Sequence, residues 1–200
     1  MQPWQPLLDL WFGDDADDVT RAKRQAPLWW GKSSDTDALL TSRFGELAKA
    51  AAAGELAHWA DNPAGRLALI LLLDQLPRNL HRGTPAAFAQ DARARELCLK
   101  GLSLGVDKGL SPLARVFFYL PLEHAESREQ QARSVALFEA LADEEAAGPA
   151  QSTFAGFADF ARRHQVIIER FGRFPHRNAI LGRASTEEEA AFLLQPGSGF

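Results

Sequence analysis

Residues 67–79 read Leu67-Ala68-Leu69-Ile70-Leu71-Leu72-Leu73-Asp74-Gln75-Leu76-Pro77-Arg78-Asn79, an apolar helical segment that runs directly into polar residues. A charged residue beside such a run must be paired, hydrogen-bonded or functional, because an isolated charge is costly to bury. A second polar segment occurs later in the chain, at Arg170-Phe171-Gly172-Arg173-Phe174-Pro175-His176-Arg177-Asn178. These two segments are the first places to look for a site.

Helix start signals recur along the chain. Residues of the type that cap helix N-termini stand at Asp35, Asn62, Thr84, Ser111, Ser127 and Ser185, and three of them are followed by Pro63, Pro85 and Pro112. The best-marked start is Ser185, which is predicted to form a capping box with Glu188. The pattern predicts helices over residues 5–12, 36–53, 63–76, 85–104, 112–120, 127–147, 150–171 and 186–195.

No strand pattern competes with these helices, because alternation of β-branched residues is absent. The sequence therefore predicts an all-α protein, whose successive helices pack as antiparallel pairs in a single compact domain over residues 1–200. The acidic run Asp14-Asp15-Ala16-Asp17-Asp18 lacks the glycine and the final glutamate of a calcium loop, so we interpret it as a solvated loop.

Composition narrows the class of partner. The 200 residues are 46% hydrophobic and 24% charged, which is typical of a globular protein with a sizeable core. The formal net charge of −4 argues against binding to nucleic acid or to an anionic membrane, since both need an excess of Lys and Arg. The apolar run at residues 67–73 is too short to span a bilayer, and no secretory signal pattern begins the chain. We expect a cytoplasmic protein.

Sequence motifs for dedicated chemistries are missing. The patterns H-E-x-x-H, C-x-x-C, the phosphate loop and G-x-G-x-x-G do not occur. The single cysteine, Cys98, lies between Leu97 and Leu99 in a predicted helix, where buried packing is the better interpretation. We therefore predict no metal and no cofactor.

Two places in the sequence carry residues suited to proton transfer near neutral pH. Pro121 is predicted to interrupt a helix just before Glu123, His124 and Glu126, and the alternative is a helix junction held by ion pairs. His164 shares one face of its predicted helix with apolar residues. A histidine in that position is more often a core residue than a functional one.

Cationic side chains are concentrated in the second polar segment, at Arg170, Arg173, His176 and Arg177. Because Gly172 and Pro175 break the helical pattern, we expect the backbone to bend and to gather these cations. Such a group can present forked donors to a carboxylate or a phosphate. The alternative is that the arginines pair with Asp74, Glu123 and Glu126 and fasten the helices together.

Four segments of the chain resemble the landmarks of a bacterial family, domain-of-unknown-function family 924. They are the two polar segments together with Leu10-Trp11-Phe12-Gly13 and Tyr119-Leu120-Pro121-Leu122-Glu123-His124-Ala125-Glu126. The resemblance covers nearly the whole chain. It implies an all-helical, tetratricopeptide-like fold in which the polar segments meet in space, and it implies no specific activity, because a fold does not convey a function.

Three hypotheses for function follow. The first is a binding domain for an anionic small molecule or peptide, and the second is a metal-independent enzyme that uses Glu/His acid–base chemistry on a phosphate- or carboxylate-bearing substrate. The third is a protein–protein interaction scaffold with a structural polar network and a binding face around Trp29 and Trp30. The first ranks highest because no nucleophile, metal or cofactor pattern supports catalysis. The predicted site residues are Asp74, Arg78, Asn79, Arg82, Glu123, His124, Glu126, His164, Arg170, Arg173, His176, Arg177 and Asn178.

Overall fold

The computed structural model describes residues 2–15, 17–146 and 148–199, and over these ranges the chain forms helices and no strand. The predicted all-α class is therefore confirmed, whereas the tetratricopeptide-like order of the helix pairs stays a prediction. The helices are α1 Gln5–Phe12, α2 Asp18–Trp30, α3 Ser34–Ala53, α4 Pro63–Ile70, α5 Leu76–Leu80, α6 Asp91–Ser103, α7 Pro112–Glu123, α8 Arg128–Glu144, α9 Gln151–Phe171 and α10 Glu187–Leu193.

Three of the six predicted helix N-caps are confirmed. Asn62, Ser111 and Ser127 each accept a hydrogen bond from a backbone N–H of the first turn, as predicted. Three predicted caps are wrong. Ser33 rather than Asp35 caps α3. Thr84 precedes a short 3-10 turn, Pro85–Phe88, and its side chain makes no capping hydrogen bond. The capping box at α10 joins Thr186 to Glu189, one residue later than predicted, because three consecutive glutamates allow either register.

Helix α2 was not predicted. The acidic run interpreted as a solvated loop is its start: Asp17 accepts a hydrogen bond from the N–H of Thr20, and the helix begins at Asp18. The sequence pattern that would predict α2 is weak, because this helix buries few residues and contains Pro27. Ala16 of the acidic run lies outside the described residues, as does position 147, where the predicted helix 127–147 was to end.

The segment predicted as one helix over residues 63–76 contains a change of helix type. After α4, the chain makes a π-helical turn at Leu71–Gln75, in which the N–H of Leu76 donates to the carbonyl of Leu71, and it then continues as α5. A π-turn holds one more residue than an α-turn, so a longer run of consecutive side chains faces the interior. Asp74 is consequently buried along with its apolar neighbours.

Helix α7 runs through Pro121, so the predicted interruption there is wrong. Proline removes only one N–H from the helical ladder, and the helix ends two residues later. Its end is fastened to α8 by Gln131, which donates from Nε2 to the carbonyls of Glu123 and Ala125 at 2.6 and 2.8 Å. These bonds hold the backbone next to the candidate site.

The main core forms around α7, whose residues from Val116 to Leu120 are all buried. Aromatic rings surround Phe117, with the ring centroid of Trp29 at 4.7 Å and that of Trp11 at 5.6 Å. Cys98 is buried, as predicted. A smaller apolar cluster joins the end of α9 to α10. Within the described ranges, no helix combines the length and apolar character needed to cross a membrane.

Candidate functional site

A cavity of about 680 Å³ opens between the end of α2, the segment from Gln75 to Gly83, the end of α7, the middle of α9 and the 3-10 turn Pro175–Arg177. Its polar wall brings together most of the residues predicted for a site. Those that line it are Arg78, Asn79, Arg82, Glu123, His124, His164, His176 and Arg177. Aromatic and aliphatic side chains complete the lining, namely Trp30, Phe88, Leu120, Phe157, Phe160 and Ile180.

Asp74 lies behind this polar wall with no solvent exposure. Its carboxylate accepts hydrogen bonds from Nδ1 of His124, at 2.8 Å and 3.0 Å, and from the amide of Gln75. Burial alone raises the pKa of Asp74, but the charge interactions with His124 and Arg78 outweigh it and bring the pKa well below its usual range. Because an ionised carboxylate can only accept hydrogen bonds, Nδ1 of His124 carries a proton. His124 lines the cavity, and Nε2 is its other ring nitrogen.

Glu123 and His164 form a second carboxyl–imidazole contact beside the first. Oε1 of Glu123 lies 3.2 Å from Nδ1 of His164, which also donates to the carbonyl of Phe160 at 2.9 Å. Burial, reinforced by the charge of Asp74, raises the pKa of Glu123 to about 8. Burial lowers the pKa of His164 to about 3. At neutral pH the pair is therefore a neutral carboxyl beside a neutral imidazole rather than a salt bridge.

Two guanidinium groups meet at one carboxylate next to the cavity. Arg78 donates to both oxygens of Asp91, at 2.9 and 3.0 Å, and Nη1 of Arg177 lies 3.4 Å from the same carboxylate. The Arg177 guanidinium is held between the rings of Phe88 and Phe174, at 4.7 and 4.5 Å. Burial and the neighbouring Arg78 charge lower the pKa of Arg177 to about 10, so it remains a cation. Its Nε finds no hydrogen-bond partner among the described residues.

The rim of the cavity carries further polar groups. Arg82 makes a two-point contact with Asp37 at 2.8 and 2.9 Å, and Asn79 donates to the same carboxylate at 2.9 Å. Burial, with the charge of Arg177, lowers the pKa of His176 to about 4 and keeps its ring neutral at pH 7. The rim is thus positively charged at Arg82 and neutral at His176.

Four further predicted site residues lie outside the cavity lining and pair with Arg183, with Ser185 or with α10. Glu126 receives two hydrogen bonds from Arg183, at 2.6 and 2.8 Å, while Arg170 contacts Glu188. Arg173 binds both carboxylate oxygens of Glu189, at 2.6 and 2.7 Å. Asn178 is buried and donates to Ser185 and Glu189. These four residues hold the last part of the chain together.

The prediction that the bend gathers four cations in one place is therefore wrong. Gly172 has a φ of +71°, a left-handed value that ends α9 and turns the chain. Arg170 and Arg173, before and just after this turn, reach α10, whereas His176 and Arg177 reach the cavity. The bend separates the cations into two groups.

Sequence reasoning missed several parts of the site. Lys32 and Phe88 line the cavity, and Asp91 holds both arginines, but no local pattern marks any of them. Trp29, proposed as part of an exposed face, is buried and donates from its ring N–H to the carbonyl of Trp11 at 2.8 Å. Trp30 is half-exposed and lies at the cavity.

The arrangement suits anion binding and proton transfer. Among the described residues, no group of three or more His, Cys, Asp or Glu side chains is placed to hold a metal ion. None of the described lining residues is Ser, Thr or Cys. The polar wall therefore offers guanidinium donors and imidazoles rather than a hydroxyl or thiol nucleophile.

Comparisons with known proteins place the chain in a family without assigning an activity. A search of curated proteins found no match. A solved structure titled "Structure of Protein of Unknown Function ATU0120 from Agrobacterium tumefaciens" is similar over 96% of this chain and 96% of that chain, with 37% sequence identity and a TM-score of 0.79. A family model described as "Bacterial protein of unknown function (DUF924)" matches residues 7–197. The chain belongs to the DUF924 family.

Proposed function

We propose that the cavity binds a small organic anion, a carboxylate or a phosphate with an apolar portion. The observation that carries this proposal is the charge of the lining. The lining contains the cations Lys32, Arg78, Arg82 and Arg177, whereas burial raises the pKa of its one acidic residue, Glu123, to about 8. The carboxylates that pair with the arginines, Asp37 and Asp91, stand outside the lining.

Arg177 is the central group of the proposed site. It is 6% exposed, yet it lines the cavity, and its contact with Asp91 is longer than that of Arg78. The flanking aromatic rings fix the guanidinium plane, so an incoming acid meets an oriented donor. A buried cation that shares its carboxylate with another arginine gains more from an added anion than a fully paired one does.

The size of the cavity favours a small molecule over a peptide. Its volume of about 680 Å³ falls within the range of about 300–1,000 Å³ that is common for small-molecule sites. An acidic peptide needs a longer groove for its backbone. The apolar side chains of the lining supply the surface that the rest of the ligand covers.

A thermal-shift screen of carboxylated and phosphorylated metabolites tests this proposal, because a ligand that binds only the folded state raises the unfolding midpoint. Arg177→Met removes the guanidinium and keeps an apolar stem between Phe88 and Phe174. Arg170→Met is the matched control, since Arg170 pairs with Glu188 away from the cavity. We expect hits that Arg177→Met abolishes and Arg170→Met retains. A screen with no hit, or hits equally strong in both variants, contradicts the proposal.

A second candidate function is acid–base catalysis on the bound anion. The observation in its favour is the Asp74–His124 pair, in which a buried carboxylate orients an imidazole at the cavity wall. In this alternative Nε2 of His124 accepts a proton from the substrate or from a water molecule, and the neutral Glu123 carboxyl is a proton donor. His124→Gln is then expected to retain binding of a screened ligand and to lose its turnover. Equal turnover in wild type and His124→Gln contradicts this alternative.

A further inference from the structure

Trp30 differs from the other tryptophans of the chain in its exposure. Trp4, Trp11, Trp29 and Trp59 are at most 8% exposed, whereas Trp30 is 48% exposed and lines the cavity. A large aromatic surface left accessible at a concave site is a common feature of ligand-binding sites. The accessible part of Trp30 is therefore apolar surface that is available to a ligand in the cavity.

The ring of Trp30 is held in a fixed plane. Its centroid lies 5.7 Å from that of Phe117, with the two planes 8° apart, and Phe117 is fully buried. The ring of Phe157 stands beside it at 6.4 Å, tilted by 56°. One side of Trp30 thus rests on the core while the residue remains half-exposed, which preorganises a flat surface for a second ring.

Helix α9 shows how far this surface lies from the cationic end of the cavity. Phe157 and His164 both line the cavity and are two helical turns apart, which corresponds to about 10 Å along the axis. Phe157 contacts Trp30, while His164 contacts Phe174, whose ring lies against Arg177. The cavity therefore has an aromatic end at Trp30 and a cationic end at Arg177.

We infer that the ligand carries a planar aromatic ring that stacks on Trp30 and an acid group, carboxylate or phosphate, that binds Arg177, the two joined by a spacer that extends along α9 from the side of Phe157 to the side of His164. This inference rests on the proposed function and narrows the class of ligand. An aliphatic acid fills the apolar wall less well, because an alkyl chain covers less of a fixed ring plane than a parallel ring does.

The experiment is a calorimetric titration with phenylalkanoates of increasing chain length, each matched to an alkanoate of similar size, and with the corresponding phenylalkyl phosphates. We expect the phenyl series to bind about threefold to tenfold more tightly than the alkyl series, with the largest preference at the chain length that lets one ligand reach both Trp30 and Arg177. The phosphate arm shows which acid group the cationic end prefers. This comparison of ligands is made on the wild type, so it does not depend on how a variant folds.

Two variants locate the effect. Trp30→Ala is expected to remove the preference for the phenyl series, because phenylalkanoates lose more affinity than alkanoates do, whereas Trp30→Phe retains the preference. Val166→Ala is the control, because Val166 is an exposed apolar residue of α9 outside the cavity lining. Equal affinity for the two series, with or without Trp30, overturns the inference and leaves the proposed function standing. No binding of any acid overturns both.

Discussion

Nδ1 of His124 lies 2.8 Å from Oδ1 of Asp74, although the two residues are 50 positions apart in the chain. The contact joins the π-turn after α4 to the end of α7 and forms the back of the cavity. It is made possible by the π-turn, which keeps Asp74 on the buried side of a helix that is otherwise apolar. The same carboxylate also holds Gln75 and lies near Arg78, so one buried charge organises three polar lining residues.

We predict that Asp74→Asn destabilises the protein by about 3–5 kcal/mol, because removing one partner of a buried charge network leaves the others uncompensated. Urea denaturation of the purified variant measures this change. Asp37→Asn is the matched control, since Asp37 also pairs with an arginine but lies at the rim. We expect this control to lower the free energy of unfolding by about 0–1 kcal/mol. Equal losses in the two variants contradict the role assigned to burial at Asp74.

Glu123→Gln is predicted to remove a loss of stability that the wild type suffers at higher pH. The pKa of Glu123 is raised by folding from its ordinary 4.5 to about 8, so between these values the unfolded chain binds fewer protons than the folded one. Stability from this group is complete below pH 4.5 and falls continuously as pH rises to about 8. The free energy of unfolding of Glu123→Gln relative to wild type should rise through this window. A difference that does not change with pH refutes the assigned protonation state.

The contact between Glu126 and Arg183 is predicted to be structural only. Its two hydrogen bonds fasten the link before α8 to the chain after the Pro175–Arg177 turn, and neither residue lines the cavity. A double-mutant cycle with Glu126→Gln and Arg183→Met should give a coupling free energy of about 0.5–3 kcal/mol. Ligand affinity of the folded variants should stay unchanged. A weakened affinity with no coupling between the residues argues for a direct role in binding.

Gly101→Ala is predicted to destabilise the protein by about 1–3 kcal/mol through overpacking. A Cβ at Gly101 meets a ring carbon of Phe118 at 2.4 Å and Cδ of Arg66 at 2.9 Å, because α6 and α7 approach closely there. Gly156→Ala is the control, since a Cβ at this exposed position of α9 meets nothing within 4 Å. That substitution should stabilise the protein by about 0.5–1 kcal/mol through helix propensity. Thermal unfolding of the two variants should therefore shift in opposite directions.

Local chemistry predicted much of the helical framework. The caps at Asn62, Ser111 and Ser127 depend on one side chain and the next turn, so they can be found in the sequence. The π-turn at Leu71–Gln75 could not be found in this way, because its spacing is compatible with a continuous α-helix until the neighbouring helices are packed. Helix α2 escaped detection because only Trp29 among its residues is fully buried.

Only part of the site could be predicted from the sequence, because several of its contacts join residues that are far apart in the chain. The quoted motifs place Arg78, Glu123, His124 and Arg177 in polar segments, and all four line the cavity. Their partners come from distant positions with no pattern of their own, such as Asp91 for Arg78. Arg173 belongs to the same motif as Arg177 but pairs with Glu189, since the turn at Gly172 directs the two side chains to different places. Long-range pairing is decided by packing rather than by local spacing.

The measurement that tests the central claim most directly is the dissociation constant of an organic acid, determined by calorimetry for wild type, Arg177→Met and Arg170→Met. A charge-assisted hydrogen bond contributes about 1.5–3 kcal/mol, so Arg177→Met should bind about tenfold to a hundredfold more weakly while Arg170→Met binds as the wild type does. Unchanged affinity in a folded Arg177→Met variant contradicts the account and makes the cavity's polar wall a structural network.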